Sequence, residues 1–426
     1  MTDRKTVENE IYRLIEKYFE LEEPGFVPGK TKVPLQKPPV TADEVKESVE
    51  SLLSTWLVMG KKVKAFEDIF AGYIGVKHGT MLNSGSSANL VALSVLTNPR
   101  FSGRLSRGDE VITPAVTWAT TVFPIHNVGL TPVLVDVDSD TFNVNVDAME
   151  KAITDKTKAL MPVHLLGNPS DMKRIMEIAE DNDLYVIEDS CEAHGAEIGG
   201  KKVGSMGDMG TFSFFMSHHI TTIEGGMIMT DNEEMDELAK SIRVFGWIRD
   251  MKNKSEIAEK HKDIDPRFLF YNFGYNLRPT EIQGAFGIHQ VKKIEGYIKI
   301  REENALYWNK TLSEFEDLVT TQKERAGTRH SWFSYPITVN PKAPFTRSDM
   351  MNFLESRLIE TRPIQSGNIT QQPGMSLIDH RVSGKLEGAR AVHERSFFIG
   401  NHQSIGKSER EYVANTFVEF LEKARK

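Results

Sequence analysis

Two adjacent imidazoles, His218 and His219, follow the run Ser213-Phe214-Phe215-Met216-Ser217 and precede the turn Glu224-Gly225-Gly226. Imidazole titrates near neutrality, so such a ring can take and return a proton at working pH. On a strand, neighbouring side chains point to opposite faces, so at most one of the two would meet a given site. The plainer reading of a histidine pair is structural. No cluster of His, Cys and Asp at metal-ligand spacing surrounds it, and no metal is expected.

Four other runs offer chemistry, each with a plain alternative. Asn83-Ser84-Gly85-Ser86-Ser87-Ala88 joins a strand-like segment to a helix-like one. Free backbone N–H groups, hydroxyls and the helix dipole would cradle a phosphate there, or a serine simply caps the helix. Val186-Ile187-Glu188-Asp189-Ser190 ends an apolar strand in an acidic pair. A buried Asp189 is costly unless a cation such as a protonated pyridine nitrogen meets it; otherwise it caps the next turn. Thr117-Trp118-Ala119-Thr120-Thr121 puts an aromatic at a strand end, to stack on a flat ring or to pack in the core. Phe273-Gly274-Tyr275-Asn276-Leu277-Arg278-Pro279 alone reads as a turn before a helix.

The elements that must hold these residues follow from periodicity. Apolar strands around EVITPAV, TPVLVDVD, KALMPVHLLG, LYVIEDS, TFSFFMS and GGMIMTD alternate in part with helices such as MKRIMEIAEDND. That pattern predicts an α/β protein with a mainly parallel sheet covered on both faces, its ligands beyond the strand C-termini. Ile11, Leu14, Ile15 and Phe19 stand at helical spacing in the first 25 or so residues, and a Pro/Gly-rich extended stretch follows. A helix over Ala42 to Val58 is expected to stop at Gly60. Three units are expected: an N-terminal helix and extension over 1–40, a large α/β domain over 41–294, and a smaller α+β domain over 295–426. The N-terminal unit would pack across the small domain or a partner subunit.

Bulk properties narrow the function classes. The 426 residues are 39% hydrophobic and 26% charged, as in soluble globular proteins. A net charge of -8 argues against a general nucleic-acid or anionic-membrane binder. No apolar run approaches the roughly 20 residues that span a bilayer, and the N-terminus is unlike a signal peptide, so a cytoplasmic protein is expected. The single cysteine, Cys191, supplies neither an internal disulfide nor a cysteine-bound iron–sulfur cluster.

Taken in order, the motifs resemble the sugar aminotransferase and dehydratase family of the type I pyridoxal-phosphate fold, from about residue 40 to the end. The resemblance implies that Gly85, Ser86, Ser87 and Ser213 contact the cofactor phosphate and that Trp118 stacks on the pyridine ring. It implies Asp189 at the ring nitrogen and Glu192 beside the ring. Asn276 would reach the phosphate of the neighbouring subunit, implying a homodimer with shared active sites. Arg249 and Arg278, from the partner subunit, would hold the carboxylates of L-glutamate or 2-oxoglutarate.

One departure carries the functional expectation. Aminotransferases of the family have a lysine where His218 stands, and no lysine lies between Lys202 and Lys240. The cofactor would then act as pyridoxamine phosphate held noncovalently, with His218 as the base. Two subgroups carry this histidine. One acts on CDP-sugars with an iron–sulfur cluster, which a single cysteine excludes. The other removes the 3-hydroxyl of GDP-4-keto-6-deoxymannose without a cluster and takes its amine from glutamate, in the biosynthesis of 3,6-dideoxysugars such as those of O-antigens. Arg362-Pro363-Ile364, Gly367-Asn368 and Gly400-Asn401-His402-Gln403 resemble the second subgroup, whereas Phe26-Val27-Pro28-Gly29 resembles the first. A pyridoxal-phosphate-dependent 3-dehydratase acting on a nucleotide-linked 4-keto-6-deoxy sugar is the leading expectation. A nucleotide-sugar aminotransferase and a noncatalytic binding protein on the same fold are the alternatives.

Overall fold

The computed structural model describes residues 3–21 and 25–426. Residues 1–2 and 22–24, the latter within the stretch expected to be extended, lie outside the described residues.

Five buried strands run the same way: His78–Leu82, Glu110–Pro114, Thr157–Leu160, Tyr185–Asp189 and Met209–Ser213. Thr131–Val135 and the short Arg381–Val382 continue that direction on one flank. Gly226–Thr230 is inserted antiparallel between His78–Leu82 and Met209–Ser213. The result is an eight-stranded, mainly parallel sheet. Its inner strands are buried along almost their whole length because helices cover both faces, which is why their sequences read as continuous apolar runs. Leu93, Ile187 and Ile228 pack in one core cluster, while Ile112, Val133 and Ile175 pack in another.

A second, four-stranded antiparallel sheet is built from Val319–Thr321, Ser334–Val339, Thr361–Pro363 and Ser396–Gly400. Its core centres on Trp308, which is fully buried against Tyr335 at 5.0 Å between ring centroids. The indole Nε1–H donates to the Arg410 carbonyl at 3.0 Å, so the ring buries no unpaired donor.

The N-terminal helix spans Arg4–Phe19, with Asp3 accepting from the Thr6 N–H at its start. None of its residues is buried; it lies on the helix Ala42–Ser54, tied by Glu16 and Lys46 at 2.8 Å. The following chain is stitched to the small sheet's edge. The Val33 N–H donates to the Leu358 carbonyl, and the Leu35 N–H donates to the Glu360 carboxylate, both at 2.8 Å.

Two local expectations are corrected. The helix from Ala42 ends at Ser54, not Val58, because Thr55 turns left-handed at φ 60°. Gly60 then opens another helix, Lys61–Ile74, rather than closing one. His218 and His219 are not on a strand: the strand ends at Ser213, and both rings sit in a turn, with the His218 N–H donating to the Phe215 carbonyl.

Candidate active site

The C-terminal ends of the parallel strands open into a cavity of about 360 Å³. The Gly85–Leu96 helix starts at its floor, with Ser84 capping the Ser87 N–H at 3.1 Å. Gly85 is required there: a Cβ would lie 2.4 Å from Cβ of Ser213. Ser86 reaches across to the Thr120 hydroxyl at 2.9 Å, joining two helix starts at one wall. Trp118 stands before the second helix with its ring more than half exposed, on the cavity wall and not in the core.

The acidic pair divides its labour. Glu188 is fully buried and turned away from the cavity, accepting from the N–H groups of Gly204, Met206 and Gly207 and paired with His164 at 3.1 Å. Burial opposes its ionisation, but these partners overcome that and hold its carboxyl below the usual range. Asp189 faces the cavity and is 5% exposed. It accepts from Asn89 at 2.9 Å, Thr121 at 2.8 Å and the Cys191 N–H at 3.2 Å, all neutral donors, and no described lysine or arginine pairs with it. Glu192 also lines the cavity, accepting from the Leu166 N–H at 2.8 Å and from Gln365. Burial, and then the charge of Asp189, push its carboxyl up to about 8, so it is mostly protonated at neutral pH.

His218 lines the cavity with its Nδ1 enclosed and unpartnered. Burial, and then the Arg301 cation, push it down to about 3, so the ring is neutral in the cofactor-free protein at neutral pH. His219 is fully buried, and its Nε2 donates to the Ser331 carbonyl at 2.9 Å. The two rings diverge through the turn, not through strand alternation.

The cavity therefore brings together Gly85, Ser86, Trp118, Asp189, Glu192, Ser213 and His218. Ser87 lies just behind it, its hydroxyl donating to Asn83 at 2.7 Å. Asn276, Arg278 and Arg249 do not line it within one chain. Asn276 is exposed and accepts from Arg278 Nε at 3.1 Å, and Arg249 packs over Trp247 beside a separate surface pocket. Reading the motifs singly missed Asn89 and Thr121, whose donors hold Asp189. Asn89 stands one helical turn after Gly85, so the spacing was the available signal. Gln36, Gln365 and Phe398 line the cavity from distant segments with no local signal, and Arg362, part of a run that resembles the family, lines it too, where the resemblance assigns it no role.

These features fit a pyridoxal-type cofactor. Asp189 is an anion facing the cavity that lacks a cation, as a pyridinium N–H would supply, and the helix start suits a phosphate. No lysine lines the cavity among the described residues, and none forms a metal-holding group of three His, Cys, Asp or Glu.

Fold and site together define a type I pyridoxal-phosphate aminotransferase-like protein. The chain belongs to the DegT/DnrJ/EryC1/StrS aminotransferase family, which it matches over residues 39–418. It is 40% identical to GDP-4-keto-6-deoxy-D-mannose 3-dehydratase of Yersinia pseudotuberculosis over 357 residues, covering 82% of this chain and 89% of that one. It is 36% identical to dTDP-4-dehydro-2,6-dideoxy-D-glucose 3-dehydratase of Saccharopolyspora spinosa, covering 95% and 90% of the two chains. A crystal structure of GDP-4-keto-6-deoxymannose-3-dehydratase with a trapped PLP-glutamate geminal diamine superposes with a TM-score of 0.84 at 36% identity, over 90% of this chain and 99% of that one.

Proposed function

We propose that this chain is a pyridoxal-phosphate-dependent 3-dehydratase of a nucleotide-linked 4-keto-6-deoxy sugar, with the GDP-linked mannose derivative the leading substrate and L-glutamate the amine donor. The observation that carries the reading is His218, a neutral imidazole facing the cavity where aminotransferases of the family have a lysine. Bound pyridoxamine phosphate supplies an amine that can condense with the sugar's keto carbon and a ring that can store the freed electron pair. Asp189 would hold the proton on the ring nitrogen, and Trp118 would lie on the ring face. The N–H groups at the start of Gly85–Leu96, with Ser86 and Ser213, would hold the phosphate. His218 would take a proton next to the ring and hand it to the departing 3-hydroxyl oxygen. Protonated Glu192 can donate a hydrogen bond to an oxygen in the cavity without adding a second negative charge beside Asp189.

The working unit in this reading is a cytoplasmic homodimer whose partner contributes Asn276, Arg278 and Arg249. Two features support it: these three residues lie outside their own cavity, and exposed Trp56, Phe245, Phe273 and Tyr275 form apolar surface of the kind interfaces cover. No helix among the described residues is long and apolar enough to cross a membrane.

The test is a panel of GDP-, CDP- and dTDP-linked 4-keto-6-deoxy sugars with glutamate and cofactor, read by mass spectrometry. Loss of the 3-hydroxyl is expected. An amino sugar as the sole product would replace the reading with a transaminase, and no turnover on any substrate would sink it.

A further inference from the structure

Three carboxyl groups line the cavity: Asp189, Glu192 and Glu224. Among the described residues the only lysine or arginine that lines it is Arg362. Its strand, Thr361–Pro363, is the edge of the small sheet, and Arg362 stands opposite Phe398, which also lines the cavity. The guanidinium is exposed and makes no hydrogen bond or ion pair with a described residue. Its acidic neighbour Glu360 is tied to Lys32 and to the Leu35 N–H. The residue after Leu35, Gln36, lines the same cavity. The extension, paired through Val33 and Leu35 to Leu358 and Glu360, therefore brings an amide to the side of the cavity where Arg362 stands.

Both substrates of the proposed reaction are anions. Among the described side chains that line the cavity, Arg362 alone offers them a full positive charge. The planar guanidinium fork suits two oxygens of a carboxylate or a phosphate.

We propose that Arg362, assisted by Gln36, is a specificity-determining residue that binds the oxyanion of the substrate remote from the reacting carbon. That oxyanion is the carboxylate of the amino donor or the diphosphate of the sugar nucleotide. The inference rests on the dehydratase reading for its substrates, and its test is arranged to stand apart from that reading.

Binding of 2-oxoglutarate and of GDP to the cofactor-loaded protein is measured by calorimetry, in the native protein and in Arg362→Gln and Arg362→Lys. The two half-reactions are then followed separately. Amine transfer from glutamate is read by cofactor absorbance, and sugar dehydration is read from protein preloaded with pyridoxamine phosphate. Arg362→Gln is expected to weaken one of the two ligands roughly ten- to a hundredfold, the range of a lost charge-assisted hydrogen bond. KM of the matching half-reaction should rise in step, with kcat within a few-fold and cofactor affinity unchanged. Arg362→Lys should fall between. A rise in the glutamate arm alone assigns the carboxylate, and a rise in the sugar arm alone assigns the diphosphate. Unchanged binding of both ligands in Arg362→Gln overturns the proposal, as does an effect traced wholly to lost cofactor. A native protein that binds these ligands but dehydrates no sugar overturns the dehydratase reading and leaves the binding test standing.

Discussion

His218 and His219 are covalent neighbours with unlike surroundings, so substitutions at the two should fail differently. His218→Asn removes a proton acceptor at the cavity wall. Dehydration should fall about a hundredfold to ten-thousandfold, the usual worth of one acid–base group, while cofactor affinity measured by absorbance titration stays near native. His219→Asn removes a ring whose Nε2 donates to the Ser331 carbonyl in a fully buried position. It should cost about 1–3 kcal/mol in denaturant unfolding, because a buried acceptor is left unpaired, and spare the chemistry of the folded fraction. Equal losses of turnover with unchanged stability in both variants would mean that the two roles are not separate. Glu192 gives a further check at this scale. Its carboxyl is raised from the ordinary 4.5 to about 8, so between those values the folded protein holds a proton that the unfolded chain releases. That contribution is full below about 4.5 and is lost as pH rises through about 8. Glu192→Gln cannot ionise. Between pH 6.5 and 8 the cofactor-free native protein should lose unfolding free energy relative to this variant, and parallel curves would contradict a raised carboxyl.

The strands and the helix Gly85–Leu96 were legible because their side chains obey one rule over several residues: apolar on both faces in the sheet, with a serine cap and glycine at the helix start. The helix Lys61–Ile74 is absent from the sequence reading although Val63, Phe66, Phe70 and Ile74 stand at helical spacing and are buried on one face, because Gly60 reads as a stop when it is a start. The turn that carries His218 was not legible. Ser213 to Ile220 has strand-like composition, and only tertiary partners such as the Ser331 carbonyl break the strand there. The site was legible where one segment supplies it, as at Gly85 and Asp189. It was hidden where distant segments supply it, as at Gln365 and Gln36. A prediction at this scale concerns Gly226, the first residue of the antiparallel strand. A Cβ there would lie 2.1 Å from the Ser84 carbonyl oxygen, which is backbone and cannot rotate away. Gly226→Ala should push the strand from the Ser84–Gly85 turn and disturb the turn proposed to hold the cofactor phosphate. Loss of about 1–3 kcal/mol of stability and weaker cofactor binding are expected, by denaturant unfolding and absorbance titration. Native affinity in this variant would show that the turn tolerates displacement.

For the whole molecule, the division of residues between cavity and outer surface decides what a dimer must do. His218 and Asp189 face the cavity of their own chain, while Asn276 and Arg278 lie outside it. If a two-fold partner completes each site, the first pair acts in one subunit's site and the second in the other's. A subunit bearing His218→Asn spoils only its own cavity, and a subunit bearing Arg278→Ala spoils only its partner's. Each variant alone should be nearly inactive. When the two are mixed in equal amounts and allowed to exchange subunits, about half the dimers are hybrids. In each hybrid both defects fall on the same site: the cavity with Asn at 218 is also the one facing the altered 278. The other site is native throughout. The mixture should recover about a quarter of native activity, rising from near zero on the timescale of subunit exchange. Trp56→Asp, placed on the exposed apolar surface, should shift the protein towards monomer in analytical ultracentrifugation and suppress recovery when built into both variants. A protein that runs as a fully active monomer, or a mixture that exchanges subunits without recovering activity, would show that each chain completes its own site.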